Sequence, residues 1–218
     1  GSGPGAERSP EGTGSTPVVA PSRSQRPVVT PSEETTKPQP SPTALPGVAL
    51  DASLRSTGSR LVAEYAVTNS SPRPVVVVDR IPTALGSSML DAADIDPDHA
   101  WVVMAGTVVR VTKQAFPAAP GVRFIADPVI GGHVVAPGGV TKGTATAPLP
   151  PVLDVPGREF EAPRTPITQT ADTWQFCVQV ADLDQPREVV SVSAVTHAPL
   201  LCSDAEPLPA HIAHSTGQ

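Results

Sequence analysis

Aromatic side chains are scarce in this chain, with one Tyr, two Trp and four Phe among 218 residues. A core with so few rings has to be filled by aliphatic side chains, Val above all, and Val prefers the pleated surface of a sheet. A basic excess is missing as well: 15 Lys and Arg stand against 21 Asp and Glu, a formal charge of −6. Such a surface repels phosphate backbones and anionic headgroups, so neither nucleic acid nor the membrane surface is an expected partner. No apolar run approaches the ~18 residues of a membrane span. A secretory leader is not seen either, but the opening Gly1-Ser2 reads as an appended scar, and a natural amino-terminal lipid anchor is expected outside this chain. Lysine occurs three times against twelve arginines, and Asn69 is the sole asparagine, a bias that fits a GC-rich genome.

What is present divides the chain into three. Residues 1–46 hold ten of the 28 prolines, many Ser and Thr, and no aromatic residue. They lack the apolar surface needed to offset the entropy of ordering, so a disordered linker is expected, stiffened into a stalk by proline. PVVAPS at 17–22 returns as PVVTPS at 27–32. The four acidic and four basic residues of this segment cancel, which leaves the whole net charge on the domain expected over 47–205. Residues 206–218 read as a flexible tail.

Within 47–205 the grammar is that of strands. Leu61, Ala63, Tyr65 and Val67 alternate with Val62, Glu64, Ala66 and Thr68, the period of a strand with one face in a core. Asn69 to Pro74 reads as a turn, and Val75 to Val78, apolar throughout, as the second arm of a hairpin covered on both sides. Further strands are predicted over 49–55, 101–105, 108–113, 141–147, 174–181 and 189–196. The pair 101–105 and 108–113 should turn at Gly106-Thr107, and 174–181 should turn back onto 189–196 near Gln185. That hairpin sets Cys177 opposite Ser193, with Val190, Val192 and Ala194 continuing the core face of Trp174, Phe176, Val178 and Val180. Gly131-Gly132-His133 reads as a turn. Residues 148–172 are too rich in proline for regular structure, and helix is expected at most over 83–93. About seven to nine short strands with turn signals between them predict an all-β, antiparallel, immunoglobulin-like sandwich. Trp101 and Trp174 each begin an apolar strand and are expected in its core.

The strand Tyr65-x-Val67-x-Asn69 followed by PRPVVVV, and the later VVAPGG with LPP, resemble small extracytoplasmic immunoglobulin-like proteins of bacterial envelopes, often lipoproteins. The resemblance covers about 48–198. It implies a secreted or envelope location, and it carries no catalytic residue.

Candidate chemistry is sparse. Asp94, Asp96 and Asp98 have the i, i+2, i+4 spacing with which a loop wraps calcium, but His99 and Ala105 stand where a calcium loop needs Gly and Glu. The competing reading is a solvated acidic loop. Cys177 and Cys202, the only cysteines, are read as one disulfide in an oxidising compartment. His197, His211 and His214 flank Cys202 without a recognised metal spacing. Asn69-Ser70-Ser71 matches a glycosylation acceptor, and the turn accounts for it. No nucleophile elbow occurs, and the strands carry mainly Val, Ala, Trp and Phe, so no enzyme is expected and no cofactor beyond a possible calcium. The leading expectation is a non-enzymatic extracytoplasmic binding or scaffolding domain that meets an unidentified envelope protein through strand edges and loops. Two others are kept: a metal-binding envelope protein, and a protease inhibitor presenting the proline-rich loop through Arg158, Glu159, Phe160 and Arg164.

Overall fold

The alternation of Leu61, Ala63, Tyr65 and Val67 survives folding, because all four lie buried against one core in the computed structural model. The structure describes residues 45–82, 90–117, 121, 123–155, 164–168 and 170–210. The chain runs through β1 (Val48–Thr57), β2 (Arg60–Asn69), β3 (Val75–Arg80), β4 (Trp101–Ala105), β5 (Val108–Lys113), β6 (Val129–Val135) and β7 (Val140–Pro148). It continues through β8 (Val152–Asp154), β9 (Arg164–Pro166), β10 (Thr173–Ala181), β11 (Val189–Ser191), the one-turn helix α1 (Val192–Val195), β12 (Leu200–Cys202) and β13 (Glu206–Pro207). The described residues are all-β apart from α1 and a 3₁₀ turn at Ala92–Asp94. The stalk and the segment 83–89 lie outside the described residues.

Two sheets result. β1, β2 and β7 form a small antiparallel sheet in that order. The larger sheet follows the path β11-β6-β3-β10-β5-β4-β8-β9, with β12 and β13 also paired to β10. The sheets face each other across a core of Leu61, Tyr65, Val75, Val77, Val109, Val111, Trp174 and Phe176, among others. The far face of the large sheet is covered too, with Val76, Val78, Trp101, Ile130 and Val190 packed beneath Val192 and Val195 of α1. A strand in the middle of that sheet must be apolar on both faces, which is what Val75 to Val78 supply.

Several expectations change. β2 and β3 do not form a hairpin: β2 pairs with β1 and β7, whereas β3 pairs with β6 and β10 in the other sheet. A strand apolar on both faces belongs where both faces are covered, so the chain crosses between sheets. Nor is the large sheet wholly antiparallel, since β10 runs parallel to β5 from Thr173 opposite Val108 to Val178 opposite Lys113. The predicted hairpin of 174–181 with 189–196 is absent, for β11 pairs with β6 and β10 takes β12 instead. Cys177 therefore faces Cys202, not Ser193, and the two form a disulfide with Cα atoms 4.1 Å apart. It joins neighbours within one sheet. Val190 and Val192 enter the far-face core, and Ala194 is exposed on α1. Gly131-Gly132-His133 is not a turn but the middle of β6, where a side chain at Gly132 would strike the Val77 carbonyl. Inside 148–172 the short strands β8 and β9 pair with each other. At the carboxy-terminal end β13 pairs with β10 and Leu208 packs on the core, so the fold runs past 205. Both tryptophans are buried and β4 pairs with β5 about Gly106-Thr107, as expected.

The crossover between sheets hangs on Asn69. Its side-chain amide donates to the Arg73 and Val135 carbonyls at 2.8 and 3.0 Å, and its Oδ1 accepts from the Ser71 amide and hydroxyl. Its backbone meets Gly138 and Gly139, the turn that returns the chain to the small sheet. Asn69 is fully buried, so it is a structural residue and no glycan acceptor. Asn69→Ala removes four bonds, among them the buried donor to the Val135 carbonyl, and is expected to cost about 2–4 kcal/mol, read from urea unfolding of the oxidised protein.

Candidate functional site

A core-facing position on a strand must be apolar or have its polar groups satisfied. Besides Asn69, four polar residues on the faces turned toward the inter-sheet core come together. Tyr65 follows Leu61 and Ala63 on β2, Asp79 follows Val75 and Val77 on β3, Lys113 follows Val109 and Val111 on β5, and His133 precedes Val135 on β6. The fold brings them to one place. They line a cleft of about 450 Å³ together with Arg80, Pro97, Asp98, Lys142, Gly143 and Thr144, among others.

Asp79 is the hub. Its carboxylate is buried, with 3% of the residue exposed. The Tyr65 hydroxyl, reaching across from the small sheet, donates to Oδ2 at 2.9 Å, and His133 Nδ1–H donates to Oδ1 at 2.7 Å. A carboxylate only accepts, so the two donors satisfy one oxygen each. Tyr65 stacks on Phe176 with centroids 4.6 Å apart. Gly143 of β7 lies against it, where a methyl group would overlap the phenol ring. The Lys113 ammonium, almost wholly buried, donates to the Pro97 carbonyl at 2.7 Å and stands 5.3 Å from the centre of the Tyr65 ring.

The environment sets the protons. Burial, with the charge and hydrogen bond of Asp79 added, pushes the Tyr65 phenol up, so it stays a donor and never a base at neutral pH. The hydrogen bond to Asp79 holds His133 above the ordinary histidine range. Burial pulls Lys113 down to about 8 against the opposing charges of Asp79, Asp98 and Asp96. The Asp79–His133 pair is the orienting half of a hydrolytic relay, but among the described residues no hydroxyl bonds to the His133 ring. Arg80 and Lys142 make no side-chain ion pair or hydrogen bond among the described residues.

The residues singled out from sequence fall elsewhere. Asp94, Asp96 and Asp98 lie on the exposed 3₁₀ turn and the loop after it; Asp96 accepts from the Asp98 amide, and Asp98 lines the cleft. Among the described residues no three His, Cys, Asp or Glu are grouped as metal ligands would be. Cys202 is committed to its disulfide, and His211 and His214 lie outside the described residues. So do Arg158, Glu159, Phe160 and the side chain of Arg164, although the Arg164 backbone begins β9. Sequence reasoning passed over the Tyr65–Asp79–His133–Lys113 cluster, which lies on strands read as mainly Val, Ala, Trp and Phe. The period-two pattern itself was the available signal. Comparisons with protein-family models, curated proteins and solved structures gave no match.

Two outcomes follow. His133 gains a partner on folding, so its contribution to stability is complete below its unfolded value of ~6.5 and is lost as pH rises through its higher folded value. Lys113 acts oppositely: its folded value of about 8 lies below an unfolded ~10.5, so its cost is complete below about 8 and is relieved between the two. Urea midpoints measured from pH 6 to 10 should fall and then recover; His133→Ala should flatten the fall and Lys113→Met the recovery. Gly143→Ala should displace Tyr65 and cost about 1–3 kcal/mol, as overpacking does, with loss of the phenol's near-ultraviolet circular dichroism.

Proposed function

We propose that this chain is a non-enzymatic, extracytoplasmic binding domain whose cleft receives an anionic group, a carboxylate or phosphate, offered by its partner. The observation that carries this reading is the gathering of cations in an acidic chain. Arg80, Lys113, His133 and Lys142 line the cleft against Asp79 and Asp98. Both oxygens of Asp79 are already bonded. Two of the chain's three lysines are spent on this one cleft. Arg80 and Lys142 have no ion partner among the described residues, so an incoming oxyanion displaces no existing pair.

The Cys177–Cys202 bond favours an oxidising compartment, since such bonds are rare where thiols are kept reduced. No helix among the described residues is long and apolar enough to cross a membrane. An immunoglobulin-like sandwich of the bacterial envelope, held by a lipid anchor outside this chain, is the setting we infer, supported by two sheets closed on one core. Catalysis is disfavoured by the same geometry: Tyr65 is kept protonated by its burial and by Asp79, and each oxygen of Asp79 is met by Tyr65 or His133. A bound anion would instead sit among preformed donors, where charge-assisted hydrogen bonds are strong.

Titration of isotope-labelled protein at low salt with acetate, inorganic phosphate and a short acidic peptide tests the reading. Shifts should localise to Arg80, Lys113, His133 and Lys142, and the double variant Arg80→Glu, Lys142→Glu should weaken binding at least ~10-fold. Equal response to a neutral amide, or no response at the cleft to any of the three anions, would refute an anion site.

A further inference from the structure

The outer edge of β1 carries a pattern that the cleft does not explain. β1 pairs with β2 over ten consecutive residues and, among the described residues, with no strand on its other side. The opposite margin of the same sheet is different: β7 is bridged at Thr146, whose amide donates to the Asp98 carbonyl and which pairs with His99. An open edge is a template for another strand, and proteins blunt it with proline, bulges, short length or repelling charge. β1 has ten residues, no proline and an unbroken register. Its only charges are Asp51 and Arg55, both exposed, opposite in sign and each two residues from Ser53.

We propose that β1 pairs with β1 of a second copy of this chain, antiparallel about a two-fold axis at Ser53, joining two three-stranded sheets into one of six strands. In that register Asp51 of each copy stands opposite Arg55 of the other, twice over by symmetry. Directly opposed side chains in an antiparallel pair lie ~5 Å apart, within reach of an ion pair. On the face turned to the core, Leu54 meets Ala52 of the other copy and extends the stripe of Leu50, Ala52 and Leu54, which is only half-buried in one copy. Moving the axis to Ala52 or Leu54 sets Asp51 against Ser53 or Thr57 and leaves every charge without its opposite. The charges therefore select Ser53. Arg55 already lies 3.8 Å from Glu64 of its own β2, so the joined edge would carry a row of Glu64, Arg55 and the second copy's aspartate. Such a contact is self-complementary and closed, as a two-fold dimer requires. It does not rest on the cleft and stands or falls separately.

Analytical ultracentrifugation of the full, oxidised chain at low salt, from micromolar to millimolar concentration, tests it. A reversible monomer–dimer equilibrium is expected. Asp51→Arg and Arg55→Asp should each weaken the dimer by about tenfold, because each sets like charges face to face twice. Combining both reversals should restore it, with circular dichroism confirming that all variants fold. Ala52→Pro, which removes an outward-pointing backbone donor beside the axis, should abolish it. A monomer at every concentration would overturn the pairing. So would a dimer indifferent to the single reversals, or one that the double variant fails to rescue.

Discussion

A carboxylate taken out of water costs several kcal/mol unless its oxygens are met by donors, and Asp79 is such a group, buried on β3 directly after four valines. The donors come from two directions. Tyr65 reaches across from the small sheet, and His133 lies beside it on the neighbouring strand. Satisfying Asp79 therefore fixes the distance and rotation between the sheets as well as the place of one side chain. Gly143 follows from the same need, since any larger residue would push the phenol off its acceptor. Lys113, lodged over the Tyr65 ring and tied to Pro97, adds a cation to a place that apolar packing alone would have left dry.

Around this link the large sheet is organised by β10, which pairs with β5, β3, β12 and β13. Both of its faces are buried, and its polar residues are satisfied individually. Gln179 accepts from the Ala115 amide and donates to the carbonyls of Val195, Thr196 and Ala198, which holds α1 and the turn after it against the far face. Cys177 is closed by Cys202 on the adjacent strand. The crossing from β2 to β3 is set in the same manner by Asn69. In a chain poor in aromatic bulk, uniqueness of packing rests heavily on a few buried polar groups, each with its bonds complete.

The cleft is where this economy opens to solvent. Arg80 and Lys142 stand at its margin with no ion pair among the described residues, while His133, half exposed, is bonded to the buried Asp79. In the reading proposed above, an anion entering there would exchange water for fixed donors and meet Arg80 and Lys142 without breaking an ion pair of theirs among the described residues. The edge of β1 lies in the other direction along the small sheet, with its own opposed charges, so binding of a ligand and association of two copies would draw on different side chains.

Much of this could be read before folding. Alternation along residues 61–68, the continuous valines at 75–78, the turn at Gly106-Thr107 and the burial of both tryptophans are local or nearest-neighbour properties, set by side-chain period and backbone preference. Extended by two residues, the same period already points Asp79 and Lys113 inward. What it does not contain is who meets whom. Valine runs are interchangeable as strand partners, so the sequence by itself determined the strands and their inward faces. Only the tertiary structure decided that β2 and β3 part into different sheets, that β5 lies parallel to β10, and that Cys202 lies directly opposite Cys177 on the neighbouring strand. The physical reason is that pairing is chosen by burial of both faces and by satisfaction of a few buried polar atoms, Asp79 and Asn69 foremost. The partners that tie them across the fold, His133 for Asp79 and Val135 for Asn69, lie 54 and 66 residues away in the chain, beyond the reach of any local pattern.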